Sequence, residues 1–168
     1  MDLTTKKLAI AIEPSAEVVE PGDTLTYRIT TKTLDGTPVA ADLSLGVVDE
    51  AIYAIRPDRF DPVRAFYPVR EHSVYTNYSF PELYLDGGDK GDGEVPIRTR
   101  FLDTAFWAPD VSTDASGTAT VQVTLPDNLT SWRATVIGAT ADTRVGKATV
   151  NVRARKPVMV RLSTPGYM

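Results

Sequence analysis

Short stretches of alternating apolar and polar residues, separated by turn residues, run through most of this chain. Leu8, Ile10 and Ile12 share one face of a half-buried strand, since side chains two apart point the same way. "EPGD" (Glu20 to Asp23) is a turn, with Pro21 fixing φ and Gly22 free to take positive φ. "TLTYRITTK" follows as a strand rich in β-branched and aromatic residues, and "LDGTP" turns at Asp35-Gly36. "VAADLSLGVVDEAIYAI" then places Leu43, Leu45 and Val47 on one face. Further on, "TAFWA", "TATVQVTL", "SWRATVIGAT" and "KATVNVRA" complete the pattern, with turns at "STDASG" and "PDN". About seven short strands with turns at this spacing predict an all-β, antiparallel sandwich. The helical signal is about one turn between Asp49 and Phe66. Trp107 and Trp132, each flanked by apolar neighbours in a strand, are expected in the core together with Phe106.

The stretch from Ile55 to Phe101 breaks the pattern. Its hydrophobic residues hold neither period, and Pro57, Pro62, Pro68, Pro81 and Pro96 interrupt any ladder. Asp86 to Gly93 is glycine-rich and cannot bury a core. An insertion this long, at about residues 56–100, is normally functional or disordered, with a decorative surface loop as the plain alternative. Its side chains suit proteases of several specificities: Arg56, Arg59, Arg64, Arg70, Lys90, Arg98 and Arg100 for trypsin-like enzymes. Tyr75, Tyr78, Phe80, Leu83 and Tyr84 suit chymotrypsin-like ones, and the small residues near Gly87 elastase-like ones. Nicking concentrates in extended loop segments, so this insertion is chemically suited to be cut.

Composition narrows the remaining classes. The 168 residues are 42% hydrophobic and 24% charged, an ordinary globular mixture sufficient for one domain with an insertion. A net charge of −4 does not favour nucleic acid. No apolar run approaches the ~20 residues of a membrane span, and none opens the chain as a signal peptide. Without cysteine there is no disulfide, thiolate metal site or cysteine nucleophile. The ending "STPGYM" reads as a cut through a larger chain.

Several conspicuous residues have plain readings. Asp49 and Glu50 are adjacent carboxylates, better suited to a turn cap or a salt bridge than to paired acid/base work. His72, between Glu71 and Ser73, cannot form a triad with its own sequence neighbours, and no Gly-x-Ser-x-Gly elbow exists. Asp86, Asp89 and Asp92 lack the ligand spacing of a calcium loop, so no metal or other cofactor is expected. Asn77-Tyr78-Ser79 and Asn128-Leu129-Thr130 have the form of glycosylation sequons.

"LSLGVVDEAIYAI" (Leu43 to Ile55) and "FLDTAFWAPDVSTDASGTATVQVTLPDNLTSWRATVIGAT" (Phe101 to Thr140) together resemble the alpha-2-macroglobulin family, in order and spacing. The first is similar to that family's "VVDEAVY" strand and the second to the segment that follows its bait region. "VGKATVNVRARKPVMVRLSTP" is similar to the exit into the next macroglobulin-like domain. The resemblance covers nearly the whole chain. It implies a fibronectin-III-like sandwich over residues 1–156 that carries a bait region, with residues 157–168 starting the next module. It further implies a bacterial, extracytoplasmic protease inhibitor whose partners are endopeptidases and the neighbouring macroglobulin-like and thioester domains of the same parent chain. The family's Cys-x-Glu-Gln thioester is absent here and belongs to another domain. A structural or adhesive sandwich that binds protein or carbohydrate through its loops is the alternative; an enzyme is not expected.

Overall fold

The computed structural model describes residues 3–68 and 103–156. Among these residues eight strands form two sheets. β1 (Ala9–Pro14), β3 (Thr24–Lys32) and β6 (Thr118–Thr124) make a three-stranded antiparallel sheet in the order β1-β3-β6. β2 (Val18–Val19), β4 (Asp42–Asp49), β5 (Thr104–Ser112), β7 (Ser131–Ala139) and β8 (Val145–Ala154) make a five-stranded sheet in the order β2-β8-β7-β4-β5. Its pairings are antiparallel except for β2, which runs parallel to β8. The expected all-β sandwich is therefore the fold, with β2 too short to have shown a period in the sequence.

The core lies between the sheets and follows the two-residue alternation of the strands. In β3 it takes Leu25, Tyr27 and Ile29; in β4, Leu43, Leu45 and Val47; in β7, Trp132, Ala134 and Val136. One end is closed by a buried threonine pair. The Thr31 hydroxyl donates to the Val39 carbonyl at 2.6 Å, and the Ala41 amide donates to Thr113 Oγ1 at 2.8 Å. Gly117 turns the chain there at φ +68°, and a Cβ at this position would stand 2.2 Å from the Thr31 carbonyl oxygen. Only glycine fits both constraints.

The two tryptophans part company. Trp132 is fully buried, whereas Trp107 is 64% exposed, which corrects the expectation that both anchor the core. Phe106 and Trp107 are consecutive in a strand and cannot both point inward. Register decides between them: Phe106 faces Val47 and packs against the core, while Trp107 faces Gly46 on the outer side of the sheet. The indole lies over the bare glycine backbone, where a Cβ on Gly46 would come within 3.1 Å of the ring. Trp132→Ala should therefore cost ~3–5 kcal/mol in chemical denaturation. Trp107→Ala should cost no more than about 1 kcal/mol. Equal losses would contradict the assigned facing of β5.

Candidate functional site

The insertion is rooted between β4 and β5. At its base the Asp49 amide donates to the Asp103 carbonyl at 2.9 Å, so the chain returns beside the point where it left. Asp49 also caps the helix α1 (Glu50–Ile55): its carboxylate accepts from the Ala51 amide at 2.9 Å and from the Thr130 hydroxyl at 2.8 Å. Capping of this kind satisfies a donor that the helix start leaves unpaired.

From there the chain does not leave the sheet. Residues 50–68 run back along its outer face as a strap that includes a second helix, α2 (Pro62–Phe66). Asp61 caps α2 through the Val63 and Arg64 amides at 2.9 and 3.3 Å, and Pro62 occupies its first turn, where no amide is needed. Of α1 and α2 together, Pro62 alone is buried. A cavity of about 500 Å³ opens beneath α2, lined by Phe60, Pro62, Val63 and Leu34, with Lys147 in its wall. Apolar burial in the strap is thus partial, with Ile52, Tyr53, Val63 and Tyr67 half-buried.

Polar contacts hold it too. Arg133 of β7 meets the Glu50 carboxylate with both nitrogens of its fork, Nε to Oε2 at 2.7 Å and the second to Oε1. Its guanidinium also stands 4.2 Å from the centre of the Tyr53 ring. Lys147 of β8 donates to Asp58 Oδ2 at 2.6 Å and to the Phe60 carbonyl at 3.0 Å. At the far end the Tyr67 hydroxyl donates to the Thr143 carbonyl, and the Lys6 ammonium stands 5.6 Å from the Tyr67 ring. Arg133 lies one pair from the Asp49 end, Lys147 pairs with Ile137, and Thr143 is in the turn between β7 and β8. The strap therefore travels the length of β4, seven residue steps or roughly 24 Å. Pro68 ends up by the β7–β8 turn, and Asp103 lies at the opposite end of the sheet.

This geometry sorts the expected site residues. Asp49 and Glu50 are a helix cap and an ion-pair partner, as their plain reading had it. Arg64 is described and has an 89% exposed side chain, but it sits within α2 beside Asp61 at 3.6 Å. The first dozen residues of the insertion are therefore folded onto the sheet rather than loose. Arg70, Tyr75, Tyr78, Phe80, Leu83, Tyr84, Lys90 and Arg98 lie outside the described residues, as do His72, the Asp86–Asp92 set and residues 157–168. Among the described residues no group of three His, Cys, Asp or Glu could hold a metal, and no helix is long and apolar enough to cross a membrane. Burial pushes the Tyr27 phenol well above its usual range, but that side chain is sealed in the core, out of reach of solutes. Arg133 and Lys147 went unnoticed in the sequence because each falls on the polar side of an ordinary alternating strand.

A β-sandwich with a strap laid over one sheet, between two of its paired strands, defines the class of fold. Comparison with known proteins makes the class specific. Residues 104–168 match the profile of the "Alpha-2-macroglobulin family". A curated alpha-2-macroglobulin of Ralstonia nicotianae is 31% identical over 97% of this chain, which spans 12% of that protein. Among solved structures, the native conformation of Escherichia coli alpha-2-macroglobulin superposes with a TM-score of 0.70 at 22% identity, covering 96% of this chain and 11% of that one. The same protein activated by porcine elastase gives 0.66 at 23% identity, covering 97% and 14%. The chain belongs to the alpha-2-macroglobulin family and spans about a tenth of the length of its relatives.

The hydrogen bond from Lys147 holds the Asp58 carboxyl below the usual carboxylate range, against the opposing effect of desolvation, and the Phe60 amide adds to the lowering. A carboxylate lowered in the folded state contributes stability above its ordinary value of about 4 and loses it as pH falls through the folded value. Exchange protection of the α2 amides of Ala65 and Tyr67 should therefore drop below about pH 4. Asp58→Asn should show the weakened protection already at neutral pH, with a flattened profile. Protection unchanged by acid in the wild type would contradict the role given to this contact.

Proposed function

We propose that this chain is the bait-bearing module of a broad-spectrum protease inhibitor of the alpha-2-macroglobulin type. In this reading an endopeptidase cuts within about residues 69–100, and the parent protein then changes conformation and traps it. The observation that carries the reading is the root of the insertion. β4 before it and β5 after it are neighbours in one sheet, joined at Asp49 and Asp103, so a break within residues 69–100 interrupts none of the strand pairings among the described residues. The residue mixture supports it too, with basic, aromatic and small residues offering bonds to several protease classes within one window. That the E. coli relative is described as activated by porcine elastase agrees with a proteolytic trigger. The module itself is a substrate and a switch, not a catalyst; its further partners are the neighbouring macroglobulin-like and thioester domains of the parent, and its place is extracytoplasmic. A trap of this kind is a two-state element biased by cleavage.

The test is to replace Tyr84 to Glu94, in the full-length parent, with an equally long Gly/Ser segment carrying one foreign protease site. Loop-closure cost depends mainly and weakly on length, so the melting temperature should move by no more than about 3 °C. The foreign protease should now trigger compaction where it did not before. Unfolding of the variant, or loss of a small-ligand or protein-binding activity, would instead favour a structured adhesive loop.

A further inference from the structure

We propose that Arg133 and Lys147 set where the cleavable stretch begins, by holding residues 50–68 against the sheet and so withholding Arg56, Arg59 and Arg64 from proteases. The proposal rests on the bait reading for its biological sense and deepens it, since it assigns a boundary and the residues that fix it. By side chain alone all three arginines are open: Arg56, Arg59 and Arg64 are exposed, the last with an 89% exposed side chain. A protease, however, binds an extended run of backbone on both sides of the scissile bond, so local unfolding must come first. Around Arg64 that means breaking α2, whose turn is closed from Ala65 to Asp61 at 3.0 Å and from Tyr67 to Val63 at 2.9 Å. Around Arg59 it means releasing Asp58 and the Phe60 carbonyl from Lys147. Arg56 follows directly on α1, which Glu50 and Tyr53 tie to Arg133.

The two cations are suited to this work because each ties the strap by a charge-assisted contact along its path, while the Tyr67 hydroxyl on Thr143 holds the far end. With Pro62 the single buried residue of the two helices, the strap has only partial apolar contact to fall back on. The Lys147 and Asp58 side chains are only 17% and 18% exposed, and those of Arg133 and Glu50 24% and 31%. Such partly buried pairs are screened less than surface ones, and removing one partner leaves the other charge uncompensated. Arg133 and Lys147 stand on adjacent strands of one sheet face, so they grip the strap at two points along its path.

The experiment is brief trypsin treatment of the full-length protein, with cleavage sites and rates read by mass spectrometry. In the wild type the first cuts should fall between residues 69 and 100. Those after Arg56, Arg59 and Arg64 should be at least about tenfold slower, because they wait on local opening. Arg133→Met with Lys147→Met should raise the three slow rates several-fold and leave the fast ones alone. Glu50→Gln with Asp58→Asn should do the same from the strap side, without touching the sheet. Lys147→Arg, which keeps the charge and a donor, should preserve most of the protection. Cutting at the three arginines as fast as elsewhere in the wild type, or rates unmoved in the strap-side variant, would overturn the proposal. Protected arginines with no rapid cut between 69 and 100 would uphold the strap and count against the bait reading instead.

Discussion

Everything in this module depends on the pairing of β4 with a strand on each side. β7 pairs with it from Asp42 to Asp49, and β5 lies along its other edge. β5 comes from beyond the insertion, so the sheet itself joins the chain before and after that segment. The inward residues of β4, Leu43, Leu45 and Val47, are at most 2% exposed, and each buried aliphatic of this kind is worth ~1.5–3 kcal/mol. The closing of the insertion is thus stabilised by the core, and among the described residues no strand pairing runs through residues 69–102.

The outer face of the same sheet is organised differently. There a chain segment is held by Arg133, Lys147, two carboxylates and a tyrosine hydroxyl, with Pro62 buried and Ile52, Tyr53 and Val63 only half-buried. Contacts of that sort give modest and local stability, well below that of the core. Body and strap therefore separate in energy: one is stabilised by the core, the other by local polar contacts. The strap also carries the chain from Asp49 to the β7–β8 turn, at the opposite end of the sheet from Asp103.

The strands and the class of fold were legible from period and turn residues, because a strand with one buried face writes its alternation into the sequence. Trp107 shows the limit of that reading. "TAFWA" contains two aromatic residues in succession, and alternation requires one to face outward without saying which. The choice was made by register against Gly46 and Val47, residues some sixty positions earlier. β2 was missed because two residues carry no period. The strap was visible only as a trace of helix between Asp49 and Phe66. Its anchors, Arg133 and Lys147, lie more than eighty residues from their partners and look like any solvent-facing position of a strand.

The claim on which the rest stands is that strands from both sides of the insertion form one body. Size-exclusion chromatography of this chain, before and after complete cleavage within residues 69–100, addresses it directly. A single peak at the uncut size, which resolves into two fragments only on a denaturing gel, is the result this pairing predicts. Two fragments that elute separately under native conditions would contradict it.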